Sequence, residues 1–261
     1  MTSPIDAHSE QWPPTLRGKN HQAVSVFTAE ALLTEARRQK GIAIGSVPEV
    51  CILDPDGDIV RCLRVMNRAH RLPTWACYHT DLYAFEHEGV SYGIVGCAVG
   101  SAFAVLLAEE LFACGCALLL SMTSAGQIVP VQAPPYFIVV DRALRDEGTS
   151  YHYMPPADYS YADARLIRLA EESLAGGGIS IRVGAAWTTD APFRETAEAI
   201  AVAQDAGILA VEMEAAALYA FASACKRPVI CFAHVTNQMG RSESDFAKGV
   251  ADGAEESLQV I

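Results

Sequence analysis

The feature that most restricts this chain is a series of apolar, β-branched runs separated by segments of helical pattern. The runs are "EVCILD" (49–54), "SYGIVGCAV" (91–99), "ALLLSMTSA" (117–125), "YFIVVDRAL" (136–144), "ISIRVGAAW" (179–187), "GILAVEM" (207–213) and "RPVICFAHVT" (227–236). Strands this apolar need cover on both faces, and the helices between them can supply it. Helices are expected at Ala29–Gln39, closed by Gly41, and near Ser101–Cys114, Tyr161–Leu174, Phe193–Asp205, Ala215–Cys225 and Ser242–Gln259. The alternation predicts an α/β protein: a single-domain helix–sheet–helix sandwich with a mostly parallel central sheet. No repeat, low-complexity tract or internal linker interrupts residues 23–261, and residues 1–22 read as a flexible N-terminal arm.

Charge and composition remove several function classes. The formal net charge of −12 argues against nucleic acid or an anionic membrane surface as partner, because either needs a basic face. A hydrophobic content of 51% is too high for a disordered chain. The eight cysteines form no C-x-x-C pair and fall mostly within expected strands and helices, so they read as small buried residues in a reducing compartment. The start, "MTSPIDAHSEQWPP", lacks the basic and apolar regions of a signal peptide. The most membrane-like run, residues 99–122, is broken by Glu109, Glu110 and Gly115. A soluble, cytoplasmic protein is expected, with neither metal nor organic cofactor.

Several strand ends carry chemistry. Glu212 and Glu214 flank Met213 where an apolar strand hands over to an Ala-rich helix. Strand alternation would point the two acids the same way, and a helix N-terminus tolerates their charge. They read either as a helix cap or as a ligand site at the carboxyl end of a parallel strand. "DPDGDIVR" (54–61) is not a calcium loop, since glycine falls at its fourth place and Val65 at its twelfth. It reads as a turn with three acids, Asp54, Asp56 and Asp58. "SMTSAGQI" (121–128) offers hydroxyls and backbone N–H groups to an oxygen-rich ligand, or is an ordinary turn.

Three further segments complete the set. "DRALRDEGTSYHYMPP" (141–156) is dense in charges and rings. In "VGAAWTTDAPFRET" (183–196), Trp187 could stack on a flat ring or fill the core, and Asp190 could pair with Arg194 or cap a helix. "FAHVTNQMG" (232–240) ends a strand on Asn237, whose amide can read a base edge, while His234 reads as a core residue.

Taken together, these segments resemble the nucleoside phosphorylase superfamily, which includes purine nucleoside phosphorylases, uridine phosphorylases and methylthioadenosine/adenosylhomocysteine nucleosidases. The resemblance spans about residues 49–260 and rests on "VEMEAAALY", "LAEELFACG", "TSAG", "RDEGTSYHY" and their order. It implies that Met213 and Glu214 hold a ribose, with Glu212 as neighbouring acid. It implies further that Trp187 stacks on the base, with Asp190 nearby, and that Asn237 hydrogen-bonds it. The Gln-x-Arg pair of uracil-specific members has no counterpart after Asp190, where Arg194 and Glu195 stand nearest, so purine bases are expected. Ser124, Ser121 and Gly126 fall at the acceptor pocket.

That pocket departs from the phosphorylases. Their Gly-Asp-Pro-x-Arg arginine aligns with Ile59, and a second arginine aligns with Ser121. The arginine from a neighbouring subunit has no match, with Tyr78, His79, Arg68 and Arg71 closest, and Thr28 stands nearest the histidine for the 5′-hydroxyl. Two acceptors therefore compete. Phosphate would give ribose 1-phosphate and would need other cations, such as Arg142 or Arg145. Water would give ribose, with Asp56 or Asp58 as general base, as in the nucleosidases. A nucleoside-binding protein without catalysis is the third reading. Inorganic phosphate is the only co-substrate implied, and relatives assemble as dimers, trimers or hexamers.

Overall fold

The protein is described here by a computed structural model covering residues 13–176, 180–238, 248 and 250–261. Among the described residues, ten strands and eight helices follow one another as α1 (Ala29–Lys40), β1 (Val50–Asp54), α2 (Asp58–Val65), β2 (Ala69–Arg71), β3 (Tyr83–His87), β4 (Val90–Gly96), α3 (Ser101–Ala113), β5 (Leu118–Gln127) and β6 (Tyr136–Asp146). Then come α4 (Ser150–Tyr153), β7 (Tyr159–Tyr161), α5 (Ala164–Leu174), β8 (Ile181–Thr189), α6 (Ala197–Asp205), β9 (Ala210–Glu212), α7 (Ala215–Cys225), β10 (Val229–Asn237) and α8 (Ala254–Val260).

Local chemistry explains the boundaries. Thr28 caps α1 through its hydroxyl, and Gly41 ends it in the left-handed region at φ 64°, where a Cβ would be strained. Thr196 and Asp163 cap α6 and α5 by accepting a backbone N–H. Helix α6 therefore starts four residues after the expected Phe193, because Pro192–Arg194 forms a separate 3-10 turn. The expected acidic turn continues into a helix, since Asp58 opens the two-turn helix α2, whose Ile59, Val60, Cys62 and Leu63 are buried. The helix expected over Ser242–Gln259 is described only as α8 and the 3-10 turn before it, since 239–247 and 249 lie outside the described residues.

The sheet runs β10-β6-β8-β9-β5-β1-β4-β3-β2, with β7 beside β6. The β4-β1-β5-β10 block is parallel, as is β6-β8-β9, but these blocks meet antiparallel at β10–β6 and at β5–β9. Because β10 pairs with both β5 and β6, strands β5, β10, β6, β8 and β9 close into a barrel-like ring. Closure removes the exposed edges that an open sheet would have. The central sheet is thus mixed, with parallel strands at its heart and the β2–β3–β4 hairpins antiparallel at one margin.

Helices cover both faces. Helices α1, α3 and α7 pack with one side of the sheet around Leu33, Leu107, Leu111, Tyr136 and Tyr219. Helices α2, α5 and α8 pack with the other around Ile52, Leu63, Phe137, Ile167 and Leu258. The Ala-rich α7 is buried from Ala215 to Phe221, and its Tyr219 hydroxyl bridges Val140 O (2.6 Å) and Cys231 N (3.0 Å), tying it to β6 and β10. All eight cysteines are free, and six are buried. Of the expected arm, residues 1–12 lie outside the described residues, while Lys19 Nζ meets His152 Nδ1 (2.8 Å) and His21 Nε2 meets Tyr151 O (3.2 Å). Lys19 and His21 thus bring this part of the expected arm against α4. Among the described residues no helix is long and apolar enough to cross a membrane.

Candidate active site

The site lies where β5 loses one neighbour before gaining the next. Strand β1 pairs with β5 from Leu118 to Ser121 and ends at Asp54, while β9 joins β5 only at Gly126. Between these pairings, the Ser124 N–H is taken by a side chain, Asp56 Oδ2, at 3.1 Å. A gap of this kind at the carboxyl ends of parallel strands is where α/β sheets admit ligands.

On one side of Ser124 is the Glu212–Glu214 corner. Strand β9 stops at Glu212, so the chain turns at Met213 and the two acids do not share a strand face as expected. Glu212 Oε2 accepts from the N–H groups of Glu214 (2.7 Å) and Ala215 (2.8 Å), and its Oε1 accepts from the Thr188 hydroxyl. It therefore holds the first turn of α7. Glu214 Oε1 accepts from Gly100 N at 2.7 Å, at the start of α3, and Oε2 accepts from the Thr123 hydroxyl at 3.0 Å. Ser101 Oγ donates to Met213 O, closing the same corner. Burial first, then the charge of Glu212, pushes Glu214 up to about 8, and burial likewise raises Glu212.

Beside this corner runs an open cleft of about 430 Å³, lined among others by Ser124, Gly126, Phe193, Glu195, Met213 and Asn237. Asn237 reaches it through an irregularity: the β10–β5 register slips after Val235, so Asn237 stands opposite Gly126. Phe193 is fully exposed on the 3-10 turn. Burial raises Glu195. Sequence reasoning passed over Phe193 and named Glu195 only for its position; their signal was the Pro-Phe-Arg-Glu turn itself.

On the other side of Ser124 is an acidic pocket lined by Asp54, Asp56, Asp58, Thr123, Ser124, His234 and Lys248, among others. Asp54 accepts from Gly57 N (3.2 Å) and Val60 N (2.9 Å), fastening the turn, and burial pushes it up to about 7. Lys248 Nζ lies 2.8 Å from Asp58 Oδ2 and 3.2 Å from Asp56 Oδ2. His234 stacks on Phe137 (centroids 4.2 Å apart), and burial lowers it to about 4, so it is neutral near pH 7. Lys248 had no signal in any motif; the fold alone carries it to the acids.

Other expected residues stand elsewhere. Trp187 is 4% exposed, packs with Ile128, Ala203 and Ile208, and donates Nε1–H to Asp146 Oδ2 at 3.0 Å. It does not line the cleft, because strand alternation turns it into the core between β8 and α6. Asp190 accepts from Gly148 N at 2.8 Å and makes no ion pair with Arg194 among the described residues. Ser121 is buried opposite Leu53 and Cys231, away from the acceptor pocket. Arg145 spends its donors on Ser150 Oγ and the carbonyls of Met154 and Pro155, and Arg142 pairs with Asp141. Neither arginine lines the acidic pocket.

Comparison with known proteins fits this arrangement. Residues 58–261 match the family model of the phosphorylase superfamily. The chain belongs to that superfamily. A guanosine phosphorylase from Halorubrum lacusprofundi is 27% identical over 186 residues, covering 67% of this chain and 76% of that relative. Uridine phosphorylase from Vibrio fischeri ES114 superposes with a TM-score of 0.69 at 19% identity, over 85% of this chain and 90% of that one. The 5′-methylthioadenosine/S-adenosyl homocysteine nucleosidase of Campylobacter jejuni gives 0.67 at 19% identity, over 82% and 96%. The phosphorylase-superfamily fold thus carries both kinds of named relative, those called phosphorylases and those called nucleosidases.

Proposed function

We propose that this chain cleaves the N-glycosidic bond of a purine nucleoside, with water as acceptor. The observation that carries this reading is the junction at Ser124, which joins the Glu214 corner and open cleft to a pocket whose backbone donor is already held by a carboxylate. The secondary alcohols of a pentose are donors like the Gly100 N–H and Thr123 O–H and would exchange with them on Glu214. Each such bond to a carboxylate contributes roughly 1.5–3 kcal/mol. Once ionised, as it is most fully above about pH 8, Glu214 would also favour the cationic sugar that forms as the bond opens.

The base would lie in the cleft against Phe193. Asn237 would donate to the departing ring, which leaves with the electron pair of the broken C1′–N bond. Glu195 would accept from two adjacent N–H donors, the pattern that guanine presents at N1 and its 2-amino group. The guanosine phosphorylase relative supports the same base. Asp56 Oδ2 is engaged, while Oδ1 has no protein donor among the described residues, so it is placed to take a proton from the attacking water.

Phosphate is the second reading, favoured by the Lys248 cation beside Ser124 and by the phosphorylase relatives. Incubating the protein with guanosine, inosine, adenosine and uridine, with and without phosphate, decides between them. Free guanine and ribose without phosphate are expected. Base released only with phosphate would replace water by phosphorolysis, and no base under either condition would leave a binding protein.

A further inference from the structure

The acidic pocket contains one lysine or arginine among its described lining residues, Lys248. Its side chain is three-quarters buried and reaches two carboxylates. Asp56 Oδ2 meets the Lys248 ammonium and the Ser124 N–H together, so one oxygen bridges the two donors that an entering anion would need. The surrounding charges leave no spare cation among the described lining residues. Arg61, outside the lining, is held by Asp58 Oδ1 (2.5 Å) and Asp252 Oδ2 (2.8 Å), and Asp54 is fastened to its own turn. Near pH 7 His234 is neutral, and its Nε2 has no hydrogen-bond partner among the described residues. Burial pulls Lys248 towards neutrality, but the Asp58 hydrogen bond and the two carboxylate charges outweigh it and keep the ammonium charged.

We propose that Lys248 determines which acceptor the pocket admits, by pinning Asp56 across the Ser124 N–H. This rests on the glycosidic-cleavage reading above. The pinned carboxylate fills the anion position and leaves Oδ1 for water. Neutralising Asp56 weakens its hold on the Ser124 N–H and leaves the ammonium paired with Asp58 alone, so that an entering phosphate can reach both donors. A phosphate oxygen forms the bond to C1′ while the C1′–N bond breaks and its electron pair leaves with the base, giving ribose 1-phosphate. Lys248 touches neither sugar nor base and is a positioning residue.

The test uses the full chain, guanosine, inorganic phosphate and four variants, each checked for folding by thermal melting. Asp56→Asn should release base about tenfold faster with phosphate than without, as ribose 1-phosphate, and the Asp56→Asn/Lys248→Met double variant should lose that response. Lys248→Met alone should lower hydrolytic kcat about tenfold with KM for guanosine unchanged, and Lys248→Arg, which keeps the charge, should restore most of it. Equal phosphate responses in Asp56→Asn and the double variant, or an unchanged kcat in Lys248→Met, would overturn the proposal. Should the unmodified chain release no base, the functional reading fails, and calorimetric titration with phosphate still judges Lys248. Asp56→Asn must then bind phosphate about tenfold more tightly than the double variant, and equal affinities overturn the proposal.

Discussion

The two sides of Ser124 solve the burial of acids in opposite ways. At the Glu212–Glu214 corner, each of the four carboxylate oxygens accepts from a backbone N–H or a threonine hydroxyl, and no cation among the described residues takes part. In the acidic pocket, Asp56 and Asp58 are compensated by Lys248, a residue nearly two hundred positions away. The backbone donors on Glu212 are fixed once β9 meets α7, and the donors on Glu214, from the start of α3 and from β5, yield only to a hydroxyl that takes their place. An ion pair between remote segments can be exchanged, because water or another ion can replace either partner. One side is built to hold its geometry, and the other to choose what it holds.

The largest expected effect breaks the first side. Glu214→Gln keeps the shape but removes the charge that the acid carries most fully above about pH 8, and turnover there should fall by roughly 10²–10³ with the fold intact. Steady-state release of guanine from guanosine measures it, and unchanged turnover would remove Glu214 from sugar binding. On the second side, Asp56→Asn should lower phosphate-free hydrolysis by roughly 10²-fold, the range of a lost general base. A hydrolysis rate that survives this substitution would move the base elsewhere.

Smaller effects sharpen the comparison. Phe193→Ala should raise KM for guanosine about five- to tenfold, as loss of a stacking ring does. Trp187→Phe should lower the melting temperature and leave KM alone, since its ring lies in the core and its Nε1–H is bonded to Asp146. The reverse outcome would restore Trp187 to the base. The smallest effect is on stability. Glu214 and Asp54 titrate near 8 and 7 in the fold, above ordinary carboxyl values, so between about pH 4 and those values the folded chain binds more protons than the unfolded one. Stability therefore falls as pH rises through this window and levels off above about pH 8. Glu214→Gln, freed of that charge, should melt roughly 2–5 °C higher than the unmodified chain at pH 8.5 and show little gain at pH 5. Equal shifts at both pH values would contradict the buried-charge account.

Much of the architecture is legible in the chain. Helix α7 begins and ends where its Ala-rich pattern does, and α1 stops at Gly41, because propensity and left-handed glycine act locally. Helix α2 was hidden because its eight residues follow a turn signal, and a turn of three acids outweighs two helical turns in any short window. Within the site, the sequence marks Glu212, Glu214, Asn237 and the acidic turn as chemistry at strand ends. It does not say that Glu212 serves the backbone of α7 while Glu214 reaches across to α3 and β5, because that depends on where β9 stops.

By itself, then, the sequence determined the long central strands, most of the longer helices and which polar residues wait at their ends, since hydrophobic period, caps and turn residues act over a few positions. The tertiary structure alone decided that Trp187 faces the core while Phe193 meets the cleft, that the sheet closes through antiparallel seams, and that Lys248 neutralises the acids of the first strand's turn. Those outcomes depend on strand pairing and on charges brought together from distant segments, and no local pattern of residues encodes either.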